Sequence, residues 1–199
     1  FFVTILMEIS TISIYSLELL QKVWNEGHRF KFVYFWNFEK EDTFLDQFNE
    51  TCLSQWFPSD FVDNDGNHYC CCEQYMMAQK AILFEDKETL EKILASSDPR
   101  EIKDLGRQVK NFDTEKWNEK CQEVVHQGNY YKFSQNQKLK DYLLSVPQDT
   151  FFVEASPFDG IWGIKLSAGK PKAKNPLQWK GTNYLGFQLT RVRDELLSQ

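Results

Sequence analysis

The sequence predicts a single, mainly α-helical domain with a few short strands. Three observations predict it. The chain has 199 residues, which suits one domain. Several segments place apolar residues at helical spacing behind capping residues. Only two runs have strand character. Hydrophobic residues make up 42% and aromatic ones 16%, with 17 Phe. That is enough to bury a core, and it either thickens that core or lines a pocket with flat rings.

In chain order, residues 16–26 carry Leu17, Leu20 and Val23 on one stripe, and Gly27 ends the helix. The run 30–38 alternates Phe30, Phe32, Tyr34 and Trp36, as a strand does. Gly66 within residues 63–67 marks a turn. A helix is expected over 72–83. Asp98, Pro99 and Glu101 read as N-cap, N1 and N3 of a helix whose inner face is Ile102, Leu105 and Val109. Asp113 caps a helix with Trp117, Cys121, Val124 and Val125 in register. Ser134 with Gln137 reads as a second capping box, ahead of Leu139, Tyr142 and Leu143. Residues 150–154 form a buried strand, 165–180 a lysine-rich loop, and 183–197 a final helix with Leu185, Leu189, Val192 and Leu196 inward.

The formal net charge of -6 disfavours non-specific tracking along a phosphate backbone, though it allows a local basic patch. No acidic residue lies between Gly160 and Arg193, and Lys165, Lys170, Lys172, Lys174 and Lys180 fall in that stretch. The stretch reads either as a solvated loop or as a contact for substrate phosphates. The five cysteines, Cys52, Cys70, Cys71, Cys72 and Cys121, have no zinc spacing and are expected as free thiols of a reducing compartment. His28, His68 and His126 are scattered. No metal and no cofactor is expected. The apolar start, residues 1–7, is too short for a membrane span and lacks a basic leader region. The expected location is cytoplasmic, with the nucleus open, and the expected state is a monomer away from membranes.

Two segments carry chemistry. Glu73 and Lys80 are two helical turns apart, hence on one face with Cα atoms roughly 10 Å apart along the axis. Their neighbours Tyr75, Met76, Met77, Ala78 and Ala81 are mostly apolar. The pair is either a solvated face or two groups converging on a ligand. Glu154, Ser156, Asp159 and Trp162 share a Pro/Gly bend leaving a buried strand, where binding groups are common. Trp162 can stack on a base or serve the core.

The ordered set Ser54-Gln55-Trp56-Phe57-Pro58, Glu73 through Ala81, Leu105-Gly106-Arg107, Lys132 through Asn136, Glu154-Ala155-Ser156-Pro157, Asp159, Trp162-Gly163 and Trp179 through Gly186 resembles the YbiA-like/NADAR family. The resemblance spans about residues 33–197. It implies a multihelical YbiA-like domain over 33–199, preceded by a helical extension over 1–32 that packs on it. It also implies an N-glycosidase. Some members cleave phosphorylated riboflavin-pathway intermediates, and others remove ADP-ribose from guanine in nucleic acid. The expected partner is therefore ADP-ribosylated nucleic acid or a small nucleotide-like substrate. A module that binds ADP-ribose or NAD without turnover is the rival from another class. By resemblance, Glu73, Lys80 and Asp159 fall at catalytic positions. Phe35, Trp36, Ser54, Arg107, Glu154, Trp162 and Asn183 fall at substrate-binding ones. Many members have His where this chain has Gln74, and Gly where it has Lys165.

Cleaving an N-glycoside leaves positive charge on the anomeric carbon and a base that needs a proton. A carboxyl near the ribose can serve both needs. A buried, partly neutral lysine could instead trap the opened ribose as a Schiff base. On this reading Lys80 is the amine, Glu73 the proton shuttle and Asp159 a hydroxyl holder or second acid/base.

Overall fold

A computed structural model describes residues 13–36 and 49–199. The opening apolar run and the last two residues of the 30–38 run lie outside them. The first helix, α1 (Leu17–Asn25), starts where the Ser16 side chain accepts a hydrogen bond from the Leu19 N–H. Strand β1 (Lys31–Phe35) follows. A 3₁₀ turn (Glu50–Leu53) leads to a two-residue hairpin, β2 (Phe61–Val62) and β3 (His68–Tyr69), around the predicted turn. Then come α2 (Cys72–Leu83), α3 (Lys87–Ala95), α4 (Pro99–Arg107), α5 (Thr114–Gln135) and α6 (Gln137–Ser145). Strand β4 (Thr150–Glu154), two 3₁₀ turns (Pro171–Lys174 and Pro176–Gln178) and α7 (Tyr184–Leu197) complete the chain.

β1 and β4 pair in parallel, with Lys31 opposite Thr150 and Phe35 opposite Glu154. Both faces of β4 are covered, which its unbroken apolar run requires. Phe152 faces the larger core, built on α2, α5 and α7, while Phe151 and Val153 face a smaller one that holds Leu20 and Val23 of α1. α2 is the hub and packs against α3, α4 and α5. It is buried from Cys72 through Ala78 with no polar face, so tertiary packing rather than amphipathicity places it. Gly106 lets α4 come close, because a Cβ there would overlap the Met77 side chain.

Two expectations about helices need correction. Ser134 caps nothing: its hydroxyl donates to the Tyr131 carbonyl inside α5. The chain breaks instead at Asn136, whose backbone is extended and whose amide donates to the carbonyls of Lys132 and Asp60. Helix α3 is not foreseen at all. Asp86 starts it by accepting from Thr89 N–H, and charged residues leave only a thin apolar stripe. The Asp98 cap holds, accepting from Arg100 N–H, but Glu101 does not reach back directly. Ser96 relays between them, accepting from Asp98 N–H and donating to Glu101.

The residue-165–180 stretch is not a loose loop. Ala173, Pro176 and Trp179 are buried, and the Trp179 indole donates to the Ala173 carbonyl at 2.7 Å. The Gln74 amide, at the position where the family often carries His, accepts from Cys70 N–H and donates to the carbonyls of Ile93 and Ser96. It thus ties the start of α2 to the end of α3, which takes a donor and an acceptor on one planar group.

Candidate active site

A cleft of about 410 Å³ opens where the N-terminal half of α2, the end of β4 and α4 meet. Each wall has a local cause. Glu73 sits in the first turn of α2, whose start is held by a hydrogen bond from Glu73 N–H to the Gln55 carbonyl at 3.0 Å. The Ser54–Gln55 segment is fixed in turn from below. The fully buried Lys132 donates to the Ser54 carbonyl, and the Asn129 amide donates to Gln55 Oε1. Glu154 ends β4. Its N–H donates to Asn183 Oδ1 while Asn183 Nδ2 donates to the Phe152 carbonyl, so one buried amide clamps the last residues of the strand.

The bend after β4 winds on itself. Ser156 Oγ accepts from the N–H groups of Phe158 and Asp159, and Asp159 Oδ1 accepts from those of Ile161 and Trp162, both at 2.8 Å. This fixes the Asp159 carboxylate at the cleft wall with amide dipoles behind it. Ile164 N–H closes the bend onto the Glu154 carbonyl, an approach that needs Gly163, since a Cβ there would come within 2.7 Å of that oxygen.

Three carboxyls therefore share one cleft. Burial pushes Glu73 up to about 7; the Asp159 charge adds to the rise, while Lys103, the Trp56 indole and Arg107 oppose it. Burial pushes Glu154 up to about 8, again with Asp159 and Glu73 adding and Lys103 opposing. Glu73 Oε1, Glu154 Oε2 and Gln55 Nε2 are all shut off from solvent with no hydrogen-bond partner. Polar atoms left so are costly, and all three belong to residues lining the cleft. Lys103 and Arg107, one turn apart on α4, also line the cleft, and Arg107 donates to the Asp104 carboxylate at 2.8 Å.

Of the residues singled out from the sequence, Glu73, Asp159, Trp36, Ser54, Arg107, Glu154 and Trp162 come together here. Three do not. Lys80 shares a helix with Glu73 but lies two turns on and does not line the cleft. Its amine donates to the Gly106 carbonyl at 2.7 Å, at the C-terminal turn of α4, and sits 4.2 Å from the Phe112 ring centre. Phe35 is buried in the core beside Glu154, because alternation along β1 turns it inward. Asn183 spends its amide on β4 and positions Glu154 instead of lining the cleft. The lysines of 165–180 are exposed and line no part of it.

Sequence reasoning missed Gln55, Trp56, Met76, Lys103, Phe158 and Leu185, and named Ser156 only as part of the bend. Lys103 had a signal, since it stands four residues before Arg107 on a capped helix. Gln55, Trp56, Met76 and Leu185 lay inside the family-like motifs. Nothing in the sequence marked Phe158.

Among the described residues, no group of three or more His, Cys, Asp or Glu is arranged to hold a metal ion, and no helix is long and apolar enough to cross a membrane. The cysteines are free thiols.

The chain is similar to known proteins across this framework. It is 42% identical over 147 residues to the N-glycosidase R617 of Acanthamoeba polyphaga mimivirus, covering 72% of this chain and 86% of that protein. It is 36% identical over 130 residues to Protein irg-1 of Caenorhabditis elegans, covering 64% of this chain and 61% of that protein. It is 29% identical over 132 residues to the N-glycosidase YbiA of Shigella flexneri, covering 66% and 73%. The fold is that of the E. coli protein YbiA, solved by NMR, with a TM-score of 0.65 over 86% of this chain and 88% of that one at 24% identity. The NADAR domain profile matches residues 34–197, a span that holds every residue lining the cleft, and the chain belongs to that family.

Proposed function

We propose that this chain is a hydrolase of N-glycosyl bonds that removes ADP-ribose from ADP-ribosylated guanine in nucleic acid. The observation that carries the reading is the set of three carboxyls in one cleft, two of them with buried, unpartnered oxygens. The relatives named N-glycosidases support the reaction class.

The chemistry divides among the groups by environment. When the bond from C1′ to the base nitrogen breaks, its electron pair goes to the base. Glu73, whose carboxyl pKa burial raises to about 7, supplies from its protonated form the proton that the leaving nitrogen needs. Positive charge on the ribose faces Asp159, whose carboxylate is preorganised by two backbone amides. A water then adds to C1′ and gives its proton to Asp159, leaving a hydroxyl on the ribose and a neutral base. Glu154, with a still higher affinity for its proton, donates a hydrogen bond to a ribose oxygen. Lys103 and Arg107 face the phosphates.

A lysine imine is the second mechanism. Within the cleft the amine able to form it belongs to Lys103, not Lys80. Two assays decide these points. The first incubates the protein with an ADP-ribosylated guanine oligonucleotide and with a phosphorylated riboflavin intermediate, and follows release by mass spectrometry. Release from the oligonucleotide is expected. Release only from the intermediate moves the substrate, and binding of ADP-ribose without release from either makes the chain a reader. The second adds borohydride during turnover. A ribose-derived mass on the Lys103 peptide establishes the imine, and no adduct leaves the carboxyl route.

A further inference from the structure

The mouth of the cleft carries apolar surface that the carboxyl chemistry does not use. Phe158 lines the cleft and is 79% exposed, the most exposed of the large hydrophobic side chains among the described residues. Its ring lies 5.9 Å from that of Trp36, tilted by 55°, and Trp36 is itself 42% exposed. The two rings are tilted rather than stacked, so Trp36 does not lie flat against the Phe158 ring. The backbone that carries Phe158 is fixed: Ser156 Oγ accepts from the N–H groups of Phe158 and Asp159.

We propose that Phe158, with Trp36, forms the subsite for the leaving group and selects a flat heteroaromatic ring, a nucleobase. The proposal rests on the reading of the cleft as an N-glycosidase site. Phe158 is the chain neighbour of Asp159, with Cα atoms one peptide apart. If C1′ of the ribose lies against the Asp159 carboxylate, the group on C1′ lies within reach of the Phe158 face. An aliphatic leaving group would gain less from the benzene and indole faces, whereas a base of any sequence offers a π face to stack on. Guanine and the ring of a pyrimidine-type intermediate both qualify; an amide nitrogen or a simple amine does not. Charged walls below and aromatic rims above would then hold the two halves of the substrate on opposite sides of the bond to be broken.

The test uses ligands that need no turnover. Guanosine 5′-monophosphate and ribose 5-phosphate are titrated by calorimetry into the wild-type chain and into Phe158→Ala, Phe158→Tyr and Ile161→Ala. Ile161→Ala is a side-chain control: the side chain is exposed and lines no part of the cleft, and the backbone N–H that binds Asp159 is kept. Wild type should prefer the nucleotide, and Phe158→Ala should lose roughly ten-fold in its affinity while ribose 5-phosphate binding stays put. Phe158→Tyr should restore the preference, and Ile161→Ala should keep it. Equal loss for both ligands in Phe158→Ala, or no loss for the nucleotide, overturns the subsite. Base release is assayed in parallel. A wild type that releases no base yet keeps a Phe158-dependent preference fails the enzymatic reading and leaves the base subsite standing. A wild type that releases base with no such preference does the reverse.

Discussion

Two pairs of buried ionisable side chains among the described residues are treated oppositely. Arg193 and Lys132 are among the most deeply buried residues, and both are hydrogen-bonded within the fold. Arg193 donates to the carbonyls of Thr150, Pro147 and Gln148 and to the Asp194 carboxylate, and Lys132 to the Ser54 carbonyl. Glu73 and Glu154 are buried at the cleft with an oxygen each left unpartnered. A buried charge whose hydrogen bonds are met by the fold holds the fold together. A buried acid left wanting is a cost that the fold does not repay within itself, and it points to a ligand.

The sharpest break of this comparison is at Glu73. Glu73→Gln keeps the shape and removes the acid. Its turnover should fall by about 10²–10⁴-fold, with a denaturation midpoint no lower than that of the wild type. A large loss of stability with retained turnover would make Glu73 a fold residue like Arg193. In the other set, Arg193→Met should cost about 3–5 kcal/mol of stability in urea unfolding, because carbonyls that the guanidinium satisfied are left without a donor. An Arg193→Met protein as stable as wild type would undo the contrast.

Glu154 gives the pH test. Its folded pKa is raised to about 8, so the folded state binds its proton more tightly than the unfolded chain does. The stability linked to that proton is present in full below the usual carboxyl range and is lost as pH rises through about 8. Glu154→Gln cannot lose a proton. Its Tm relative to wild type should therefore climb as pH is raised from about 4.5 to above 8, by roughly 5 °C or more. A difference that stays flat with pH would mean that Glu154 ionises freely. The smallest effect belongs to Lys80. Lys80→Met should lose about 1–2 kcal/mol with its bond to the Gly106 carbonyl and should keep near-wild-type turnover in the release assay. Loss of turnover in a folded Lys80→Met would return that amine to the site.

Much of the fold can be read from local sequence, because caps and periodic stripes are local events. Asp98 with Pro99 and Asp113 start their helices as their residue types require. Where a helix is short and charged, as at Lys87–Ala95, or where the break depends on a distant carbonyl, as at Asn136, local reading fails. The candidate site divides along the same line. Glu73, Asp159 and Trp162 stand in compact motifs, and their side chains reach the cleft. Lys80 satisfies the same one-dimensional test, two turns along one face among apolar neighbours, yet α4 offers it a free carbonyl and Phe112 an aromatic face, and it turns to them. Lys103 could become the amine of the cleft only once α4 packed against α2, a contact that Gly106 permits by lacking a Cβ. By itself, then, the sequence determined the element types, the caps and which acids are near apolar surroundings, since these depend on neighbours a few residues away. The tertiary structure decided which acids share a cleft, which cations face them and which buried polar atoms go unpaired, since those depend on distances between elements that no local pattern carries.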